Sequence, residues 1–204
     1  MVITIIFPSC EVYFVPCTND IHPDKIKTTL MPVSTGNHWE YTINAFEKGK
    51  VTETNGMTLE IGGLDSVYYK DRELKRHSVM IYRVRKNGVT NTRWGYLKCE
   101  NGAALVKEYG YSPGELELGR TLPDNVAPGW EDPRNDDVVW SGPEQITVPA
   151  GTFECWACEF TDLDDPKIIV REYYSKGVGL VRSQYMNWKK TIQRSMELVS
   201  YKVN

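Results

Sequence analysis

Val148-Pro149-Ala150-Gly151-Thr152-Phe153 and Gly177-Val178-Gly179-Leu180-Val181 are each a turn followed by the start of a strand. Pro149 holds φ near the value wanted at the first corner of a turn, and Gly151 is free to take a positive φ that closes a three-residue hairpin with a bulge. The segments Glu144–Val148 and Thr152–Phe160 are therefore expected to run antiparallel. Ser175-Lys176-Gly177 repeats the device between Ile168–Tyr174 and Val178–Tyr185. Two adjacent hairpins with one turn solution make an antiparallel sheet the governing expectation.

The same punctuation continues upstream. Lys48-Gly49, Asn55-Gly56, Asn87-Gly88 and Asn101-Gly102 lie among runs rich in Tyr, Trp, Val, Ile and Thr, and Asn-Gly is a strong hairpin signal. Strands are expected near 38–47, 50–61, 77–86, 89–99, 103–109, 144–148, 152–161, 168–174, 178–188 and 191–203. Helical periodicity is thin: Asp65–Arg76 has room for a turn or two, and no window keeps apolar residues at helical spacing for three capped turns. The last strand changes phase. Ile192, Met196 and Leu198 fall on even positions and Val199, Tyr201 and Val203 on odd ones, so a bulge near Leu198-Val199 is required. The fold class is all-β: a strongly curved antiparallel sheet or half-barrel of successive hairpins, with few short helices.

A chain of 204 residues suits one all-β unit with a sizeable core. We divide it into an N-terminal segment over 1–30, a truncated export signal and linker on one reading, and a single antiparallel β domain over 31–204. Residues 110–143 carry five prolines (Pro113, Pro123, Pro128, Pro133 and Pro143) and are expected as one long irregular crossing loop. Val2–Phe7 is apolar, but the first cation is Lys25, so a positive start is missing. An export signal and a plain first strand both remain open. If the chain is exported, Cys10 and Cys17 are the candidate lipidation sites. No stretch is long enough to span a membrane as a helix.

The formal net charge of −3 disfavours nucleic acid as a partner. Charge is unevenly spread: residues 70–93 hold eight Lys or Arg against two acids, and residues 108–137 hold eight acids against two Arg. Alternation along strands places many of these in solvent, which makes a solvated basic hairpin beside an acidic loop the simpler reading. The five cysteines include Cys155-Trp156-Ala157-Cys158, which has redox or zinc spacing. Within a strand, residues three apart point to opposite faces, so these thiols are expected as small core residues or, with Cys99, as part of a cross-strand disulfide. His22, His38 and His77 complete no metal set. Asp162-Leu163-Asp164-Asp165-Pro166 resembles part of a calcium loop but lacks its Gly and distal Glu, and reads as a solvated hairpin turn. No metal, cofactor or catalytic residue is expected.

Four motifs carry a resemblance. Met31-Pro32-Val33-Ser34-Thr35-Gly36-Asn37-His38-Trp39-Glu40-Tyr41 resembles the "FPL-x-x-G-N-x-W-x-Y" opening of uncharacterised bacterial exported proteins and lipoproteins. Val148–Phe153 resembles their "VPAGTF" hairpin, Tyr174–Val181 their "Y-x-x-GVGLV", and Glu197–Lys202 their closing "ELVSYK". This group is described as TapB-like or as having a domain of unknown function. The resemblance implies a curved sheet similar to the half-barrels of the LolA and LolB lipoprotein carriers. It implies no catalytic residues.

A curved sheet lined with large apolar side chains and partly covered is a site for an acyl chain or a hydrophobic peptide. Trp39, Tyr41, Trp94, Trp156 and Trp188 are the candidate ligand-binding set, against the simpler reading that they fill the core. Trp130 and Trp140 border the irregular loop and are candidates for a lid or partner contact. The leading functional reading is a non-enzymatic envelope protein binding a lipid or other hydrophobic small molecule, or an envelope partner, located in the periplasm, at the cell surface or secreted. A cytoplasmic location is the alternative. The second reading is an interaction protein with a filled core acting through residues 110–143. A hydrolase using carboxylates of that loop comes last, since no spacing demands one.

Overall fold

A computed structural model describes residues 29–32, 34–68, 76–86, 89–99, 102–108, 116–123, 125–132, 135–162 and 165–204. Side chains are described for residues 29–61 and for most of 122–204. Among the described residues, twelve strands form one antiparallel sheet: β1 (His38–Glu47), β2 (Lys50–Tyr68), β3 (Arg76–Lys86), β4 (Val89–Cys99), β5 (Gly102–Glu108), β6 (Leu116–Pro123), β7 (Glu131–Asp132), β8 (Asn135–Val148), β9 (Gly151–Thr161), β10 (Ile168–Ser175), β11 (Gly179–Asn187) and β12 (Ile192–Lys202). Their order is β6-β5-β4-β3-β2-β1-β12-β11-β10-β9-β8-β7. The sheet is open, with β6 and β7 at its edges, and β1 pairing with β12 joins the two runs of hairpins. Seven neighbouring strands, β2-β1-β12-β11-β10-β9-β8, carry most of the described side chains.

The all-β expectation holds, and several boundaries move. Asp65–Tyr68 extend β2 and pair with β3 instead of starting a helix; no helix occurs among the described residues. Asn55-Gly56 is not a turn: it lies inside β2 opposite Ile43 and Thr42, because Lys48-Gly49 has already reversed the chain, with φ of 50° and 78° as a two-residue hairpin turn needs. The stretch 110–143 contains β6, β7 and the first half of β8. Of its described prolines, Pro123 ends β6, Pro128 lies in the connection to β7 and Pro143 sits at the β8 bulge, where a missing N–H breaks no ladder.

The two quoted hairpins do not share a turn. Pro149-Ala150 is a two-residue connection with Val148 paired to Gly151, whereas Ser175 pairs with Gly179 across three residues. Positive φ is found where expected, at 137° for Gly151 and 72° for Gly177. The phase change in β12 is a bulge: Glu40 pairs with Ser200 but Tyr41 with Leu198, leaving Val199 unmatched. A second bulge lies in β8 between Ser141 and Glu144. It turns the strand over, so Trp140 shares a face with Cys158 while Ile146 shares the other with Phe153.

Curvature follows from a contact that a flat sheet forbids. In the strand order β9 and β12 are three spacings apart, about 14 Å if flat. Yet the Ala150 amide at the β8–β9 turn donates to the Leu198 carbonyl of β12 at 3.0 Å. The hairpin pairs with β10 only from Trp156 onward; its free end arches past β10 and β11 to reach β12. Residues before β1 close the opposite side. Leu30 and Met31 are buried, the Gly177 amide donates to Thr29 O, and Asn37 is tied by its Nδ2 to Pro32 O and by its Oδ1 to the Asn204 amide.

Candidate functional site

Residues directly opposite on paired strands share a face, which sorts the described side chains into two rows. One face carries Trp140, Cys158, Glu172, Ser183, Met196 and Ile43 in sequence across six strands. The other carries Glu144, Cys155, Ala157, Tyr173, Arg182 and Glu197, with Arg171 beside Tyr173. We call them the tryptophan face and the arginine face.

The tryptophan face is packed. Trp39 donates from Nε1 to Val178 O at 2.6 Å, and the Tyr41 hydroxyl donates to Leu180 O at 2.9 Å; both side chains are buried. These bonds cross from β1 to the splayed start of β11. Trp140 is edge-on to Trp130, with centroids 6.4 Å apart, and tilted against Tyr174 at 5.9 Å. The Tyr174 hydroxyl donates to Oε2 of buried Glu172 at 2.5 Å. Two polar atoms here are buried without a hydrogen-bond partner, Nε1 of Trp140 and Oγ of Ser183.

The arginine face combines charged side chains with buried Cys155, Ala157, Tyr173, Ile146 and Val148 and lies beneath the arching hairpin. Arg171 Nη2 meets Glu144 Oε1 at 2.8 Å, and Arg182 Nη2 meets Glu197 Oε1 at 3.1 Å and donates to Thr147 O at 2.6 Å. Lys190 pairs with Glu159. Nε of both arginines is buried and without a partner. Tyr173 stands between them, its hydroxyl 3.4 Å from Gln184 Oε1 and its ring 5.3 Å from the Arg171 guanidinium. Burial, ahead of the charges around it, raises the Tyr173 pKa. Burial and then the Glu144 carboxylate push the Cys155 thiol up to about 12, so this thiol stays protonated near neutral pH and is not poised as a nucleophile.

Of the residues singled out in the sequence, Trp39 and Tyr41 lie together on β1, and Trp130 and Trp140 form one cluster with Tyr174. Trp156 is half-buried opposite Tyr174. Trp188 is 70% exposed in the β11–β12 connection, with Lys189 Nζ 4.7 Å from its ring centroid, well apart from the others. Trp94 lies in β4, and its side chain is outside the described residues, as are Cys10 and Cys17 entirely. Cys155 and Cys158 are buried, are joined by no disulfide among the described residues, and lie on opposite faces. Sequence reasoning passed over Arg171 and Arg182. The available signal was a charged Arg-Glu pair inside the otherwise apolar run Ile168-Ile169-Val170-Arg171-Glu172-Tyr173-Tyr174.

The fold and this site describe an open, curved antiparallel sheet with one packed aromatic face and one charged face. Residues 138–198, covering most of β8 through most of β12, match the DUF3108-like family. Among solved structures, the chain is similar to a protein from Bacteroides fragilis described as exported with a YmcC-like fold (15% identity, 84% of this chain and 98% of that one, TM-score 0.48). It is also similar to a protein from Parabacteroides distasonis described as a lipoprotein (14% identity, 85% and 98%, TM-score 0.42). No curated protein sequence matches it. No helix among the described residues is long and apolar enough to cross a membrane.

Proposed function

We propose that this is a non-enzymatic cell-envelope protein that holds a lipid-like hydrophobic ligand against its curved sheet. The observation that carries the reading is the arch of the β8–β9 hairpin. It sets Ile146, Val148 and Phe153 on the same face as two arginines that retain buried, unpartnered N–H donors. Apolar lining with a few convergent polar groups is the usual composition of a small-molecule site. The resemblance of four motifs to exported proteins and lipoproteins supports an envelope location, with Cys10 or Cys17 as the acylated residue if the chain is lipid-anchored. The aromatic set now divides in role: Trp39, Tyr41 and Trp140 support the sheet from its packed face. The test is native mass spectrometry of protein purified gently from a host carrying the genomic upstream sequence, before and after denaturation. A small apolar mass lost on denaturation is expected; an adduct-free chain that also fails to bind a fluorescent fatty probe refutes the reading.

A second reading, an interaction protein with a filled core, is favoured by the burial and internal bonding of Trp39, Tyr41 and Trp140. It places contacts at exposed Trp188 and Val139 instead. A partner whose binding is lost in Trp188→Ala, with no ligand recovered, would establish it.

A further inference from the structure

One end of the sheet carries exposed apolar side chains among lysines. The register places the β1–β2 and β11–β12 turns side by side: β1 pairs with β12 as far as Ala45 and Arg194, and both strands end at turns within a few residues of that pair. On the β11–β12 turn Trp188 is 70% exposed, and beside the β1–β2 turn Val51, opposite Phe46, is 53% exposed. Residues 47–51 and 187–191 hold four lysines (Lys48, Lys50, Lys189 and Lys190) against one carboxylate, Glu47, in a chain whose net charge is −3. Lys50 stands opposite Glu47 and Lys190 pairs with Glu159, while Lys48 and Lys189 have no carboxylate partner among the described residues. Lys189 Nζ instead lies 4.7 Å from the centroid of the Trp188 ring, so a cation travels with the indole.

The turn that presents Trp188 is held in one shape. Asn187 Oδ1 accepts from the amides of Lys189 and Thr191 at 2.9 and 3.0 Å, Asn187 O accepts from the Lys190 amide at 2.8 Å, and the Asn187 amide donates to Thr191 O at 3.1 Å. Lys190 takes a φ of 59° within it. The indole is in none of these bonds, and a tip already ordered loses little entropy on contact. Charge and surroundings choose the contact. A protein hot spot sits inside a ring of contacts that exclude water, whereas Lys189, Lys190 and Thr191 beside this indole are all polar and exposed. A bilayer needs no such ring: an indole settles at headgroup level, lysines are drawn to anionic headgroups, and the two weak terms add. We infer that this end of the sheet, led by Trp188, Lys189, Lys48 and Val51, rests on an anionic lipid surface. Asp162 and Asp165 of the β9–β10 turn lie at the same end, beyond β11, so the sheet meets the surface tilted onto its β1–β2 and β11–β12 tips. The inference takes its setting from the envelope reading above and needs no bound ligand.

The test is cosedimentation of the full-length protein with phosphatidylcholine vesicles, with and without phosphatidylglycerol, at low and high salt. The protein is expected to partition roughly tenfold more strongly onto the anionic vesicles, and high salt should remove the excess. Trp188→Ala is expected to lose roughly tenfold in partition onto the anionic vesicles. Lys48→Gln combined with Lys189→Gln should bind both kinds of vesicle alike. All three side chains are exposed, so an unchanged Tm is the control for folding. Brominated acyl chains should quench a part of the tryptophan fluorescence that Trp188→Ala lacks. Absence of partition onto the anionic vesicles, equal partition of the unaltered protein onto both kinds, or unaltered partition of Trp188→Ala overturns the inference. A protein partner lost in Trp188→Ala, with no vesicle binding, overturns it in favour of the interaction reading. The ligand reading stands or falls separately, on the mass lost at denaturation.

Discussion

Replacing Gly179 by alanine tests how the packed face is locked. Gly179 has φ of +103°, and a Cβ there would lie 3.1 Å from Met31 Sδ and 3.2 Å from Trp39 Nε1. Two costs add. Holding a non-glycine residue at such a φ costs about 1–3 kcal/mol. Displacing Trp39 weakens its bond to Val178 O, worth about 1 kcal/mol net and more if the buried indole N–H is left unpaired. The central expectation is about 3 kcal/mol, or roughly 6–12 °C in Tm for a chain of this size. Two further glycines calibrate it. Gly151→Ala carries positive φ, but its Cβ meets only the Phe153 ring, at an ordinary 3.8 Å, so strain alone, about 1–3 kcal/mol, should lower Tm by roughly 2–12 °C and by less than in Gly179→Ala. Gly56→Ala has neither positive φ nor a neighbour within 4 Å, and should leave Tm unchanged or raise it slightly by lowering unfolded-state entropy. Thermal unfolding by circular dichroism ranks the three. The argument is refuted if Gly179→Ala unfolds with Gly56→Ala. Adding Met31→Ala should recover part of the loss non-additively if the thioether is the obstacle.

Other outcomes are expected from the same structure. Ser183→Ala removes a hydroxyl that is buried and unpartnered and should be neutral or stabilising by up to about 2 kcal/mol in urea unfolding; a clear loss would mean the hydroxyl has a partner. Trp39→Phe breaks a 2.6 Å bond, whereas Trp140→Phe discards an unsatisfied donor, so the first should cost at least about 1 kcal/mol more than the second despite equal loss of volume. The Cys155 thiol, raised from its ordinary 9.0 to about 12, should resist alkylation at pH 8 in the folded protein and react once urea unfolds it. Its stabilising effect is fully present below pH 9 and lost as pH climbs toward 12, because the unfolded thiol ionises first; Cys155→Ala should flatten that part of the Tm profile.

Much of the fold was legible because strand period and turn chemistry are local. Tryptophan, tyrosine and isoleucine at 39, 41 and 43 alternate inward as written, Lys48-Gly49 reverses the chain, and the mixed phase of 192–203 announced a bulge that the pairing with β1 contains. The errors share one cause. Asn55-Gly56 has turn chemistry but lies where β2 is already paired on both sides of it, and Asp65–Tyr68 lack a strong pattern but find β3 beside them. In 110–143, proline and glycine obscured strands that tolerate them at ends and bulges. In each case a neighbouring strand overrode a weak local preference.

The candidate site divides the same way. Cys155 and Cys158 were separable from the sequence, because three residues along a strand always means opposite faces. That Arg171, Arg182, Glu144 and Glu197 converge was not, since their partners lie 27 and 15 positions apart and meet through the order of strands and the overturned half of β8. By itself, the sequence determined that this chain forms hairpins and which residues face together in strands such as β1 and β9. Only the tertiary structure decided that β1 joins β12, that the β8–β9 hairpin bends over to Leu198, and that two arginines are left with donors to spare, because sheet order and curvature depend on contacts between residues that no local pattern links.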